Sequence, residues 1–241
     1  MHSLLETPIL RRALPDAVPP LENGDHLSAS EFMRRYDAMP EVKKAELIQG
    51  RVYLMASPVR LDQHGVPDGF IQTWLGVYAA ATPGVQHATN ATTRLGPDDV
   101  PQPDGLLRLL AECGGQTKVD DKGYLVGAAE LVVEVAGSSA SVDTREKRDS
   151  YRRAGVLEYL VWRTWEGELD GWRMENDEYL PWIPDTDGIL RSRVFPGLWL
   201  NVRALILEDA ATVLATVQGG LASAEHAEFA ARLKGTLKPK I

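Results

Sequence analysis

Leu131-Val132-Val133-Glu134-Val135 is an aliphatic run interrupted by one acid. A continuous run of this kind, without alternation, is the pattern of a strand buried on both faces. Gly137-Ser138-Ser139 ends it. Ser141 or Asp143 then caps an expected helix through Ala154, and Gly155 terminates that helix. Leu157 to Trp162 reads as a second buried strand. Residues 131–162 therefore form a β–α–β unit, which implies a parallel strand pair and an α/β fold.

On the N-terminal side, Ser28 or Ser30 is placed to cap a helix through about Asp37. Two apolar-rich runs, 45–48 and 51–56, flank Gln49-Gly50 and predict a β-hairpin closed by Ser57-Pro58. Helical spacing of Phe70, Ile71, Trp74, Leu75, Val77 and Tyr78 predicts a helix from Phe70 to Ala81, stopped by Pro83-Gly84. A strand is expected from Val85 to Leu95, and another from Gly105 to Leu110 after the Pro-rich Val100–Asp104. Residues 111–128 read as a surface loop. On the C-terminal side, runs at 168–175 and 178–183 predict a meander, and Ile189–Val194 and Leu198–Leu200 follow. Ala-rich helices are expected over 203–218 and 221–234. The expected organisation is a loose arm (1–26), one α/β domain (27–205) and a helical C-terminal appendage (206–241).

The 241 residues carry 26 Lys+Arg against 34 Asp+Glu, a formal net charge of −8. Binding nucleic acid by overall charge is thereby excluded, and any such binding needs a local basic patch. No apolar run reaches the ~18 residues of a membrane helix. The start, Met1-His2-Ser3, lacks the basic-then-apolar pattern expected of a signal peptide. The single cysteine, Cys113, excludes an intrachain disulfide and a multi-cysteine zinc site. A cytoplasmic protein is expected.

Glu134 is the residue that demands explanation. A lone carboxylate in a buried strand costs several kcal/mol unless it is paired, protonated or metal-bound. It could instead reach solvent at the strand's end or meet a core arginine. Asp104 precedes an apolar strand, although Pro-Asp-Gly is also a common turn. Glu46 lies in the first hairpin strand, where alternation would allow an exposed position. Asp143, Lys147 and Tyr151 recur at intervals of four and share a helix face. Arg145, Arg148 and Arg152 lie on another, towards solvent or a phosphate backbone. The bland alternative for Lys147 is a solvated pair with Asp143, worth ~0.3–0.5 kcal/mol. Carboxylates on adjacent strands suit a hard cation such as Mg²⁺. With a lysine nearby, the set suits phosphodiester hydrolysis.

Several stretches occur in a telling order: Glu46-Leu47-Ile48-Gln49-Gly50, Gln102-Pro103-Asp104, Leu131–Val135, Asp143–Tyr151, Ala154–Tyr159, Gly188-Ile189-Leu190 and Pro196-Gly197-Leu198. As a set, over roughly 28–205, they resemble the putative restriction endonuclease family of the PD-(D/E)XK nuclease superfamily. The resemblance implies a restriction-endonuclease-like mixed sheet flanked by helices, with Mg²⁺ or Mn²⁺ at the sheet edge, DNA as substrate and a homodimer as the assembly. Asp104 matches the Asp of the PD motif and Glu134 the first residue of (D/E)XK. Glu46 matches the N-terminal acid, and these three are the expected metal ligands. The motif lysine would fall at Ala136, so the resemblance assigns that role to Lys147, with Tyr151 and Asp143 beside it. His64 resembles a position where the family often carries histidine, although a lone histidine before a helix is more often a surface residue or cap. The tryptophans in apolar strands are expected to pack in the core. The competing reading is a nuclease-fold module that binds DNA or protein without cleaving. A glycosidase using two carboxylates leaves Lys147 without a role.

Overall fold

The computed structural model describes residues 18–54, 59–137 and 140–237. Helix α1 (Ala29–Asp37) is capped by Ser28, whose hydroxyl accepts from the Glu31 N–H. Strands β1 (Ala45–Ile48) and β2 (Arg51–Leu54) form an antiparallel hairpin. Gln49 (φ 51°) and Gly50 (φ 76°) both take left-handed backbone, as a two-residue hairpin turn requires. The expected closure at Ser57-Pro58 lies outside the described residues, as does most of the expected arm. Within residues 18–27, Leu21 is buried, and the Gly24 N–H donates to the Val52 carbonyl.

Helix α2 (Val66–Ala81) starts earlier than the apolar spacing predicts, and a π-helical turn, Leu61–Gly65, precedes it. Pro67 sits in the first turn, where its missing N–H has no helical partner to lose. The single strand expected over 85–95 is two, β3 (Val85–Thr89) and β4 (Thr93–Arg94), because Asn90 turns the chain at φ 49°. Strand β5 (Gly105–Leu109) follows. The expected surface loop contains two short strands, β6 (Lys118–Val119) and β7 (Leu125–Val126), which join β4 in a small sheet.

Strand β8 (Leu131–Ala136) is buried throughout. The helix after it is continuous but irregular: α3 (Ala140–Val142), a π-helical segment Asp143–Lys147, then α4 (Arg148–Ala154). Asp143 is thus inside the helical run and does not cap it. The wider turn brings Asp143 and Lys147 onto the buried side. Gly155 ends α4 at φ 92°. Strand β9 (Glu158–Arg163) pairs parallel with β8, with Leu131 opposite Glu158. Strands β10 (Glu168–Glu175) and β11 (Glu178–Pro181) complete the meander.

The main sheet has the order β11-β10-β9-β8-β5-β3, mixed, with β8 at its centre. Leu131, Val133 and Val135 face one core, against Ile71, Trp74, Leu75 and Tyr78 of α2. Val132 and Ala136 face the other, with Tyr151, Tyr159 and Val161. Two-sided burial explains why β8 lacks alternation. A further hairpin, β12 (Ile189–Arg191) and β13 (Trp199–Asn201), leads into α5 (Val202–Ile206), α6 (Ala210–Leu221) and α7 (Ala224–Thr236). The helix expected over 203–218 breaks at Glu208 (φ 53°), and Asp209 caps the second piece. Val213 and Val217 of α6 and Phe229 and Leu233 of α7 belong to the α2-side core. Trp74, Trp162 and Trp182 are buried, whereas Trp165 is exposed. Among the described residues no helix is long and apolar enough to cross a membrane.

Candidate functional site

Glu134 occupies the Val132–Ala136 face of β8, the face that meets Tyr151 and Tyr159. It does not escape to solvent: 2% of it is exposed. Its Oε1 accepts from Lys147 Nζ at 3.1 Å and from the Tyr151 hydroxyl at 2.8 Å. The antiparallel pairing of Gly105 with Val133 puts Asp104, one residue before β5, beside Glu134. Asp104 Oδ2 accepts the Val135 N–H at 2.8 Å. Its Oδ1 faces Lys44 Nζ at 3.0 Å and His64 Nε2 at 3.5 Å. The main-chain N–H fixes how the carboxylate points, and the second oxygen is left to side chains.

Glu46 reaches the same place from β1. It is fully buried, and its Oε1 accepts the Gln102 N–H at 2.7 Å. Its Oε2 lies 2.9 Å from Lys147 Nζ but makes no aligned hydrogen bond, so this buried oxygen keeps lone-pair capacity. Lys147 thereby meets three acids, the third being Asp143 at 3.2 Å. The structure brings together Glu46, Asp104, Glu134, Lys147 and Tyr151, the five residues picked out in the sequence.

The charges follow from burial and neighbours. Burial, assisted by Asp104, Asp143 and Glu46, raises the Glu134 carboxyl to about 8 against the pull of Lys147. Burial would raise Asp104 too, but the His64 hydrogen bond and the Lys44 and Lys147 charges outweigh it and hold this carboxyl low. Burial would lower Lys147, yet Glu134, Glu46, Asp143 and Asp104 keep it firmly protonated. Lys147 is therefore a fixed cation and not a base. The Tyr151 hydroxyl, raised by burial and by Glu134, stays a donor.

Two members were missed or discounted in the sequence. Lys44 stands two residues before Glu46, and period-two alternation along β1 would have put both side chains on one side. His64 lies on the π-helical turn before α2 and is half-buried rather than a plain surface residue. No sequence spacing links it to Asp104, forty residues away. The arginine face is less free than expected: Arg148 pairs with Asp149 and lies over Trp172, and Arg152 pairs with Glu178.

The sequence profile of the Uma2 family, described as a putative restriction endonuclease, matches residues 29–203. The chain belongs to this family. No curated protein matches it. A crystal structure described as a putative nuclease belonging to DUF820 from Anabaena variabilis is similar, with a TM-score of 0.54 at 13% identity. The alignment covers 73% of this chain and 97% of that one, and the likeness shows a shared fold. Within the Uma2 family fold, the place in mid-sheet where Asp104 and Glu134 meet across β5 and β8 is the place to ask about a metal.

Among the described residues no three His, Cys, Asp or Glu side chains stand ready as a metal cluster. Two carboxylates nevertheless suit Mg²⁺ or Mn²⁺, which keep several waters and take further oxygens from a phosphate. Asp104 Oδ1 and the Glu134 carboxylate are the hard donors on offer, and Glu46 Oε2 is the buried oxygen without a hydrogen bond. Lys44 stands at Asp104 Oδ1, where a metal would bring its charge.

Proposed function

We propose that this protein is a metal-dependent endonuclease that hydrolyses DNA phosphodiester bonds in the cytoplasm. The observation that carries the reading is the buried pair Asp104 and Glu134 on neighbouring strands, with the Lys147 ammonium on Glu134. Asp104 and Glu134 would hold the divalent cation, with Glu46 in reserve. When bound, that ion lowers the pKa of water and neutralises phosphate charge.

The chain's own residues supply the rest. Lys147, kept protonated by its acids, presents a fixed positive charge to a phosphate that gains negative charge in the transition state. Its neighbours are already ordered, so little reorganisation is needed as the reaction proceeds. Tyr151 holds the Glu134 carboxylate in one orientation through its 2.8 Å hydrogen bond. The Val135 N–H does the same for Asp104. Lys44 and His64, partly exposed at the mouth, offer an ammonium and an imidazole to an entering phosphodiester. A module that binds without cleaving would have no need to keep Lys147 buried among three acids. Plasmid DNA incubated with Mg²⁺ or Mn²⁺ should be nicked or linearised. EDTA, Asp104→Asn or Glu134→Gln should abolish this. Metal-independent or absent cleavage would sink the reading.

A further inference from the structure

Beside the carboxylate cluster lies a cavity of about 520 Å³, the size of a small-ligand site. Two residues of its wall are bonded directly to the candidate carboxylates. Lys44 Nζ donates to Asn90 Oδ1 in the cavity wall and to Asp104 Oδ1, both at 3.0 Å. Gln102 donates its main-chain N–H to Glu46 Oε1 and its side-chain amide to the Tyr36 hydroxyl and to Thr92 Oγ1. The cavity thus shares its floor with the site.

Its lining is divided by chemistry. Lys43 gives one wall a positive charge, and Lys44, paired with Asp104, adds an ammonium donor. Tyr36 and Tyr124 supply aromatic rings, and Asn90 supplies an amide. Asp37 also lines it, but Lys122 at 2.8 Å offsets its charge and the Tyr124 hydroxyl donates to it at 2.7 Å. Cations suit a phosphate, aromatic faces suit a base, and amides suit its hydrogen-bonding edge. A bare phosphate would leave most of this volume unused.

We propose that this cavity is a nucleotide subsite, which takes the nucleoside next to the phosphate held at Asp104, with Lys44 gripping the phosphate between the two. The identity of the ligand rests on the nuclease reading. The subsite would make cleavage depend on which base flanks the cut.

The test is a calorimetric titration of the full chain in EDTA at low salt. The probes are the four 5′-deoxynucleoside monophosphates, deoxyribose 5-phosphate and inorganic phosphate. At least one nucleotide should bind tenfold or more tightly than the two probes without a base. Pro40→Trp, which fills the cavity from an exposed position on its wall, should weaken that nucleotide at least tenfold. Asn90→Gly, which keeps the left-handed turn, should weaken it about threefold. Mn²⁺ titrations and thermal melts of Pro40→Trp should match the parent, which separates a blocked cavity from a damaged fold. Equal affinity for phosphate and nucleotides, or undiminished binding by Pro40→Trp, would overturn the subsite. DNA cleavage with no nucleotide binding removes the subsite and leaves the nuclease reading. Nucleotide binding lost in Pro40→Trp, without DNA cleavage, keeps the subsite and removes that reading.

Discussion

The main sheet buries acids at two ends, and it treats them differently. At the start of β8 and β9 stand Glu130 and Glu158, as buried as Glu134. Glu130 accepts the Leu109 and Gln116 N–H groups, each at 2.8 Å. Glu158 accepts the Ser192 hydroxyl at 2.5 Å and the Arg193 N–H at 2.8 Å, with Arg173 3.5 Å away. Their main partners are neutral and mostly part of the backbone. Four residues along β8, Glu134 has a lysine and a tyrosine, and Asp104 turns one oxygen to Lys44 and His64. Acids tied to the main chain staple loops to strands. Acids that turn an oxygen to Lys44 or Lys147 have a partner whose positive charge a metal can replace, and burial alone does not distinguish the two kinds.

The largest test of that contrast is Asp104→Asn, which keeps the shape and removes the charge. Cleavage should fall on the order of a thousandfold or more. Divalent metal affinity measured by calorimetry should fall with it, and unchanged affinity would move the metal elsewhere. Lys147→Met should follow, with a loss of about a hundredfold in cleavage rate. Metal affinity should hold or rise, because a neighbouring positive charge is gone. A folded Lys147→Met protein that cleaves at the parent rate would refute its role.

Next comes a paired experiment on the two ends. Glu158→Gln weakens acceptance from Ser192 and Arg193, so urea unfolding should show a loss of ~1–3 kcal/mol while cleavage stays at the parent level. Glu134→Gln should do the reverse, abolishing cleavage while leaving metal-free stability unchanged or higher. If both variants lose stability and neither loses cleavage, the two ends do the same work and the contrast is void.

The smallest expected effect is in pH. Glu134 titrates near 8 when folded, against an ordinary 4.5. Between these values the native state keeps a proton that the unfolded chain releases, so metal-free stability should fall as pH rises through this window. His64, raised by its Asp104 hydrogen bond, adds to the fall above its ordinary 6.5. Asp104, held low, acts oppositely in acid: its contribution is present above its ordinary 3.8 and is lost as pH falls through the native value. Denaturant midpoints from pH 5 to 8 should show a shallower slope in Glu134→Gln than in the parent. An unchanged slope would mean that Glu134 is charged in the native protein.

Local chemistry by itself determined much of this protein. The β–α–β unit was readable because two-sided burial leaves an unbroken aliphatic run, and Gly155 and the Gln49-Gly50 pair mark backbone that other residues adopt less readily. Glu134 stood out because an acid in such a run has to be explained. Asp104 and Lys147 gained weight only as parts of a set. What the sequence did not contain were distances between segments. That Lys147 meets Glu46 across a hundred residues depends on the π-helical turn at Asp143–Lys147 and on how the hairpin packs over the sheet. Lys44 and His64 come to Asp104 by the same packing. Periodicity reports which face a side chain takes on its own element, and only the packing of elements decides which faces meet. For that reason Glu130, Glu134 and Glu158 can be told apart by their partners in three dimensions and not by their place in the chain.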